Sequence, residues 1–360
     1  MVAGLGGIVA IRCGSKLATY KYFVYVGNNG EATANIHPHA FDSDTGSVGA
    51  RGTSQTAGAA VVSVALHPTN RFLYTAGDNS IHGYALAASD GEMAAVTGSP
   101  ISITGAIGVV FSPDGQFLFV TTGSGTPAVA YSFSTTTGLP TLVNSATPAG
   151  TSPGSLVPHP NGKYLYAINT SGSVSMLDVD TSTGALSANG GAVSTASTGA
   201  RYGAVTPNGK YLYTADVGGT TVSGFPIDSN TGAIGTLFST TVTSGPVSLD
   251  VDPTSKYLYV ATTSGGTGGQ FEAFSIDDAT GALTALTGSP FTSPAVAAPS
   301  QVKVDPGGNF VLASHYRSSG TSQMDVWQIS ASTGIPTITT GSPFDICSNI
   351  LAMAIARITQ

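Results

Sequence analysis

The stretch Thr206-Pro-Asn-Gly-Lys-Tyr-Leu-Tyr-Thr-Ala215 decides the fold, because related stretches recur along most of the 360-residue chain. Each copy reads as a turn built on Pro-x-Gly, followed by a strand rich in aromatic residues. The copies are marked by Pro68, Pro113, Pro160, Pro207, Pro253 and Pro306. These prolines lie 45, 47, 47, 46 and 53 residues apart, a period typical of the four-stranded blades of a β-propeller.

A second motif, Asp-x-x-Thr-Gly or a shorter form of it, predicts the turn between the third and fourth strands of each blade. Aspartate can accept a hydrogen bond from the backbone two residues further on, and glycine readily adopts a positive φ. The copies end at Gly46, Gly91, Gly138, Gly184, Gly232, Gly281 and Gly334. Seven copies of this turn predict seven blades, one more than the copies of the proline turn.

The two chain ends predict how the ring of blades closes. Residues 22–27 have the composition of a second strand without a first strand before it, and residues 349–357 read as a first strand without a successor. Pairing them would remove the free sheet edges of an open array. No segment has a sustained apolar period of about 3.6 residues, so helix should be nearly absent.

These patterns predict an all-β fold, a seven-bladed β-propeller of four-stranded antiparallel blades, with the ring closed by pairing of the C-terminal strand with the N-terminal blade. Residues 21–360 are expected to form this single domain. Residues 1–20 are expected to be an N-terminal arm or the remnant of an export signal.

Composition excludes several classes of function. Charged residues make up 9% of the chain and the net charge is −7. No basic run is present that could follow a phosphate backbone, so no nucleic-acid partner is expected. The cysteines Cys13 and Cys347 are too few for a zinc cluster but can form one disulfide bridge. No transmembrane segment is predicted, and the low charge favours an extracytoplasmic location: periplasmic, cell-surface or secreted.

The repeats also resemble a known family. The Tyr-Leu-Tyr-x-Ala strands, the Asp-x-x-Thr-Gly-x-Leu turns and the leading Phe23-Val-Tyr-Val-Gly27 resemble the lactonase family of seven-bladed propellers. That family includes bacterial 6-phosphogluconolactonase and is related to the YVTN-type surface propellers. The resemblance covers residues 22–357, and it implies a seven-bladed ring and hydrolysis of a lactone.

The resemblance extends only in part to the catalytic residues. In the enzymes a Pro-His pair and a Pro-Arg-His triplet open the inner strands of two blades, and an Asn-Glu pair follows a second strand. Here the opening Gly199-Ala-Arg-Tyr-Gly203 matches at Arg201 but has Tyr202 where the enzymes have histidine. Asp216, in Ala215-Asp-Val-Gly218, is similar to the aspartate of their Ala-Asp-Leu-Gly.

Residues expected at the mouth of the channel are the candidates for function. An arginine can hold a carboxylate or lactone oxygen, a histidine can take a proton from water, and an aspartate can orient the histidine. The candidate catalytic residues are Arg201, Asp216 and His315, and the candidate ligand-binding residues are Tyr202, Glu272 and Arg317. The alternative is that these side chains only satisfy backbone groups of their own loops.

No metal site and no cofactor are expected. His37 and His39 lie on one face of a predicted strand, as two metal ligands would, but no third ligand is identified. The chain has no Gly-x-Ser-x-Gly motif and no phosphate-binding loop, which excludes serine-hydrolase and nucleotide chemistry.

Two functions follow from these observations. The unmatched histidine and glutamate positions favour a secreted or surface-exposed propeller that acts as a binding or assembly module. Its partner would be a small molecule, a carbohydrate or a protein at the channel mouth. The alternative is a lactone hydrolase resembling 6-phosphogluconolactonase. Basic residues that converge in the channel would favour the enzyme, because a phosphorylated substrate needs cationic contacts.

Overall fold

The structure is a computed structural model that describes residues 22–29, 35–58, 60–77, 79–123, 128–263, 269–295, 297–317 and 320–357. Every regular element in these ranges is a β-strand, and the strands form seven antiparallel sheets. The predicted all-β, seven-bladed propeller is therefore confirmed. The predicted arm, residues 1–20, lies outside the described residues, and so does Cys13, so the disulfide bridge to Cys347 stays a prediction.

Each blade runs from an innermost strand at the central channel to a fourth strand at the rim, and blade 1 is the blade that contains Tyr22. From blade 1 to blade 7 the innermost strands are β32 (Ile350–Arg357), β5 (Ser63–Leu66), β10 (Ala106–Phe111), β14 (Pro153–Pro158), β18 (Ala200–Val205), β22 (Gly245–Val251) and β27 (Pro299–Val304). The second strands are β1 (Tyr22–Asn28), β6 (Phe72–Gly77), β11 (Phe117–Thr122), β15 (Tyr164–Asn169), β19 (Tyr211–Asp216), β23 (Tyr257–Thr263) and β28 (Phe310–His315).

The outer strands complete each blade. The third strands are β2 (Asn35–Phe41), β7 (Ser80–Leu86), β12 (Ala128–Phe133), β16 (Ser173–Val179), β20 (Thr221–Pro226), β24 (Gln270–Ile276) and β29 (Gln323–Ile329). The fourth strands are β3 (Val48–Ala50), β8 (Met93–Ala95), β13 (Pro140–Ala146), β17 (Leu186–Ser194), β21 (Phe238–Thr241), β25 (Leu283–Ala285) and β30 (Pro336–Ile338). Four blades add a short strand beside the third: β4 (Gln55–Thr56), β9 (Ile101–Ser102), β26 (Phe291–Thr292) and β31 (Phe344–Asp345).

The ring closes through the C-terminal strand. β32 pairs antiparallel with β1, with Arg357 opposite Tyr22 and Ala352 opposite Gly27. β32 also contacts the innermost strands of both neighbouring blades, β27 and β5, so the innermost strands form an unbroken circle around the channel. The predicted pairing of residues 349–357 with the first blade is therefore confirmed.

The two repeated sequence motifs meet at the contact between neighbouring blades. A buried tyrosine in the second strand of one blade donates a hydrogen bond to the carbonyl of the glycine in the Thr-Gly turn of the next blade. The pairs are Tyr25 with Gly91 at 2.7 Å, Tyr74 with Gly138 at 2.5 Å, Tyr166 with Gly232 at 2.9 Å, Tyr213 with Gly281 at 2.7 Å and Tyr259 with Gly334 at 2.8 Å. Every one of these glycines has a positive φ, between 69° and 75°, a conformation that favours glycine.

Two of the seven contacts lack this hydrogen bond. Blade 3 has Phe119 and blade 7 has Leu312 at the tyrosine position, and aromatic packing takes its place there. The ring of Phe117 lies against the turn glycine Gly184. Between blades 7 and 1, Phe310 packs edge-on against Phe41 with ring centroids 5.4 Å apart. The tyrosine hydrogen bond therefore joins the blades at five of the seven contacts. Between blades 3 and 4, the Asn144 side chain hydrogen-bonds the backbone of Leu186 in addition to the aromatic packing.

One buried histidine gives the fold a pH dependence. His39 in β2 is 5% exposed, and neither ring nitrogen has a hydrogen-bond partner among the described residues. Burial, with a smaller contribution from His37, lowers the pKa of His39 from 6.5 to about 4. The folded protein therefore holds this imidazole neutral under conditions in which the unfolded chain protonates it.

The tyrosine contact predicts that Tyr166→Phe lowers the free energy of unfolding by about 1–3 kcal/mol, because the buried Gly232 carbonyl loses its donor. Urea denaturation measures the loss. The control is Tyr164→Phe in the same strand, whose hydroxyl makes a solvent-exposed hydrogen bond to the carbonyl of Asn230 at 2.6 Å. That control should lose less than about 0.5 kcal/mol. Equal losses in the two variants would contradict the proposed importance of the buried bond.

His39 predicts a loss of stability in weak acid. As the pH falls from about 6.5 to about 4, His39 becomes protonated in the unfolded chain but stays neutral in the folded chain. The free energy of unfolding therefore decreases by up to about 3 kcal/mol, and it changes no further from this cause below about pH 4. His39→Phe should reduce the difference in unfolding free energy between about pH 7 and about pH 4, whereas His82→Gln, at a half-buried histidine, should leave it unchanged. The same pH dependence in His39→Phe as in the unmodified protein would contradict this account.

Candidate functional site

The channel wall carries a repeated irregularity near the start of the innermost strand. In six blades the pairing of the innermost strand with the second strand skips one residue, which is a β-bulge. The bulged residues are Leu351, Ile107, Gly154, Arg201, Val247 and Ser300. A bulge turns its side chain away from the regular alternation of the strand. Arg201 is the only charged residue of the six, and it is exposed.

Arg201 lines a cavity of about 250 Å³ in the channel, between the innermost strands. The polar residues of the lining are Ser63, Ser155, Arg201, Tyr202, Gln301 and Lys303, and the remaining residues are glycines and aliphatic side chains. Two basic residues therefore converge in the channel. Within the described residues, this lining contains no carboxylate and no imidazole.

The Arg201 guanidinium is available to a ligand. In the part of the chain that the structure describes, no carboxylate forms an ion pair with it and no hydrogen bond is made by its side chain. Burial raises the pKa of its neighbour Tyr202, and the positive charge of Arg201 offsets part of that rise. The Tyr202 hydroxyl therefore stays protonated near neutral pH and can donate a hydrogen bond.

The second basic residue, Lys303, already has a partner. Its Nζ atom lies 3.7 Å from Oδ1 of Asp250 in the neighbouring innermost strand. The other carboxylate oxygen of Asp250 accepts a hydrogen bond from the backbone N–H of Val304 at 2.9 Å. Asp250 therefore both balances the charge of Lys303 and holds two blades together.

Asp216 lies behind the channel wall. It is fully buried at the end of β19, and its carboxylate accepts hydrogen bonds from Thr214 at 2.8 Å, from Ser223 at 2.6 Å and from Thr221 at 3.3 Å. Burial raises the pKa of this carboxyl group against those hydrogen bonds. Among the described residues it forms no ion pair with Arg201, although the two lie in one blade.

Glu272 holds the loop that leads into an innermost strand. Its Oε1 atom accepts hydrogen bonds from the backbone N–H of Thr243 at 2.7 Å and from the hydroxyl of the same residue at 2.8 Å. Thr243 lies two residues before β22 begins. The glutamate is 5% exposed, so its carboxylate faces this loop and not the solvent.

His315 is buried in a polar cluster at the end of β28, the position in blade 7 that Asp216 occupies in blade 5. Its Nδ1 atom lies 2.9 Å from the carbonyl of Ala297, and its Nε2 atom lies 2.9 Å from Oδ2 of Asp325. The hydroxyl of Ser293 contacts both Asp325 and the imidazole. Ser293 and Ala297 belong to the loop that enters β27, so the cluster holds that loop against the blade.

The same contact recurs around the ring. Ser175, Ser223, Glu272 and Asp325 occupy equivalent third-strand positions. In blades 4 and 5 the serine hydroxyls accept hydrogen bonds at 2.8 Å from the backbone N–H groups of Gly150 and Ala196, which precede the innermost strands. Each of these polar side chains therefore fastens the entry loop of its own blade.

The structure separates the candidates from the sequence into two groups. Arg201 and Tyr202 lie together in the channel, whereas Asp216, Glu272 and His315 lie in the layer behind it. Arg317 bonds within its own loop: its backbone N–H donates to Ser322 Oγ at 3.2 Å and its Nη1 atom donates to the carbonyl of Thr321 at 3.4 Å. Their roles in catalysis and ligand binding stay predictions.

Sequence reasoning missed three channel residues: Asp250, Gln301 and Lys303. Gln301 occupies the position in β27 that Tyr202 occupies in β18, directly after the bulge. Aligning the repeats on their innermost strands would have placed Gln301 at the position of Tyr202. The search for catalytic residue types of the resembling enzymes could not find it, because glutamine is not one of them. Of the two predicted histidines in β2, His37 contacts Asn28 and Ser54, and no group of three metal-ligating residues occurs in the described ranges.

Comparison with solved structures shows the same fold. A candidate 6-phosphogluconolactonase of Bacteroides uniformis superposes with a TM-score of 0.78 and 18% identity over 94% of this chain and 100% of that one. The periplasmic gluconolactonase of Pseudomonas aeruginosa superposes with a TM-score of 0.76 and 19% identity over 94% and 99%. No curated protein matches the sequence significantly. None of the described residues forms a helix long and apolar enough to cross a membrane.

Comparison with protein families identifies the chain more directly. The model of the lactonase family, described as a seven-bladed β-propeller, matches residues 15–216, 144–237 and 216–340. This match and the structural neighbours overturn the prediction of a binding or assembly module, because they favour the alternative, a lactone hydrolase. The prediction failed because it treated the unmatched histidine and glutamate as decisive, although basic residues do converge in the channel. The chain belongs to the lactonase family of seven-bladed β-propellers.

Proposed function

We propose that the protein hydrolyses a sugar lactone in the channel cavity beside Arg201. The observation that carries the proposal is the position of Arg201: it occupies a β-bulge, lines the cavity together with Tyr202, and forms no ion pair among the described residues. Membership of the lactonase family supports the reaction class. The names of the structural neighbours, a gluconolactonase and a candidate 6-phosphogluconolactonase, support a sugar lactone as the substrate.

The chemistry follows from the donors that line the cavity. Water adds to the lactone carbonyl, and the negative charge that develops on the carbonyl oxygen is stabilised by the N–H groups of Arg201. The Tyr202 hydroxyl can donate a hydrogen bond to the ring oxygen as its bond to the carbonyl carbon breaks, and the ring oxygen then takes a proton from solvent to leave as a hydroxyl group. Since the described lining holds no carboxylate or imidazole, the proton of the attacking water passes to solvent. Catalysis then rests on positioning and charge stabilisation.

The buried candidates have a supporting role in this proposal. Asp216, Glu272 and His315 are positioning residues, because each hydrogen-bonds the loop that enters an innermost strand, at Ser197, Thr243 and Ala297 respectively. Fixed loops keep the bulges in place, and the bulge in β18 aims Arg201. Arg317 lies in the loop after β28 and stays a predicted ligand contact.

An extracytoplasmic location is part of the proposal. It is supported by the low fraction of charged residues, 9%, and by the periplasmic location named for the Pseudomonas aeruginosa gluconolactonase. The proposed partner is a small carbohydrate-derived lactone at the channel mouth, with no nucleic acid involved.

The Arg201 proposal predicts that the purified protein hydrolyses glucono-1,5-lactone faster than buffer does, and that Arg201→Gln lowers kcat/KM by roughly 100-fold or more. Glutamine keeps a hydrogen-bond donor but removes the charge that stabilises the oxyanion. Proton release followed with a pH indicator measures the rate, after the spontaneous hydrolysis in buffer is subtracted.

The matched control is Arg71→Gln, at an exposed arginine beside the proline turn of blade 2. The proline turns lie at the end of the blades opposite to the β-bulges of the channel wall. This variant should keep the full rate. Equal activity of Arg201→Gln and the unmodified protein, or a rate no higher than that of buffer, would refute the proposed function.

A further inference from the structure

We infer that the substrate is an unphosphorylated sugar lactone, an inference that rests on the proposed function. A sugar phosphate carries between one and two negative charges near neutral pH, and proteins bind such a group with several cationic or N–H donors. The question is therefore how many uncompensated positive charges the channel offers. The described lining of the cavity offers one, Arg201, which the reaction itself requires.

Lys303 does not add a second free charge. Its ammonium group is balanced by Asp250 at 3.7 Å, and Asp250 is in turn fixed by the Val304 N–H. Asp250 is the only carboxylate in the seven innermost strands. A phosphate that approached Lys303 would meet this carboxylate at nearly the same distance, so the net attraction would be small.

Other basic residues stand elsewhere in the fold. The largest group is exposed beside the proline turns, at the end of the blades remote from the bulges: Arg71, Lys163, Lys210 and Lys256. Arg357 ends β32 opposite Tyr22, at that same end. The segments between residues 22 and 357 that lie outside the described ranges contain no lysine or arginine. Arg51 follows the fourth strand of blade 1. Arg317, in the loop after β28, is not part of the cavity lining, and its Nη1 atom donates to the Thr321 carbonyl. Among the described residues, the lining therefore holds no cation besides Arg201 and Lys303.

The neutral groups of the cavity suit sugar hydroxyls instead. Apart from Arg201 and Lys303, the polar residues of the lining are uncharged: Ser63, Ser155, Tyr202 and Gln301. Hydroxyl and amide groups can hydrogen-bond the hydroxyls of a sugar ring. They supply no positive charge for a phosphate dianion.

The size of the cavity agrees with a small ligand. Its volume of about 250 Å³ is below the roughly 300–1,000 Å³ of sites that hold drug-sized molecules. A single six-membered lactone ring with its hydroxyl groups is a ligand of that smaller kind. The cavity therefore favours a monosaccharide lactone without a bulky anionic substituent.

The test compares glucono-1,5-lactone with its 6-phosphate as substrates of the full-length protein at moderate ionic strength. We expect kcat/KM to be roughly tenfold or more higher for the unphosphorylated lactone, since the phosphate finds no free cation to bind it. A preference for the phosphorylated lactone would overturn the inference while sustaining the proposed function.

Binding of the stable products separates the two claims when neither lactone is hydrolysed. In that case, titration calorimetry measures the affinities of the protein for D-gluconate and for 6-phospho-D-gluconate. Tighter binding of gluconate would support the substrate class although the proposed function had failed. Tighter binding of the phosphorylated acid, or binding of neither, would overturn the substrate class as well.

A charge variant tests the role assigned to Asp250. Asp250→Asn keeps an acceptor for the Val304 N–H but leaves Lys303 unbalanced, so it should shift the ratio of the two kcat/KM values toward the phosphorylated lactone by about fivefold. The matched control is Asp278→Asn, which removes the partner of Lys210 at 2.7 Å beside a proline turn and should leave the ratio unchanged. An unchanged ratio in Asp250→Asn would contradict the inference.

Discussion

The hydrogen bond from a buried second-strand tyrosine to the turn glycine of the next blade is the contact on which the ring depends. It uses both repeated motifs at once, because one blade supplies the tyrosine and its neighbour supplies the Thr-Gly turn. The hydroxyl satisfies a carbonyl that would otherwise be buried without a donor. Blades 2, 5 and 6 make this contact on both sides and are held in a fixed orientation. With β32 in place, the seven blades leave no open sheet edge between them.

Ring closure is also what creates the site. Once the blades are fixed, the innermost strands stand side by side around the channel, and their β-bulges lie at one level. Most of these positions carry aliphatic side chains, glycine or serine, so the described part of the channel wall is largely neutral around the Arg201 guanidinium. No carboxylate of the described cavity lining competes with a ligand for this charge.

Most of the fold, but only part of the site, could be predicted from the sequence. Turns and strands are local, so their repeats predicted seven blades and the pairing of residues 349–357 with the first blade. Arg201 and Tyr202 could be predicted from the sequence because they are adjacent residues at the start of one innermost strand. The Lys303–Asp250 pair was not, since it joins residues 53 positions apart in two blades. Asp216 and His315 show the same limit: spacing placed them near the mouth, but only packing shows that their polar atoms bond the neighbouring third strands and entry loops.

The most direct test of the central claim, that the channel beside Arg201 is the ligand site, is a crystal structure of the protein soaked with D-gluconate. The account predicts density for one sugar acid in the cavity, with its carboxylate against the Arg201 guanidinium and a hydroxyl within hydrogen-bond distance of Gln301. Gluconate bound at the opposite end of the blades, or an empty channel at saturating concentration, would contradict it.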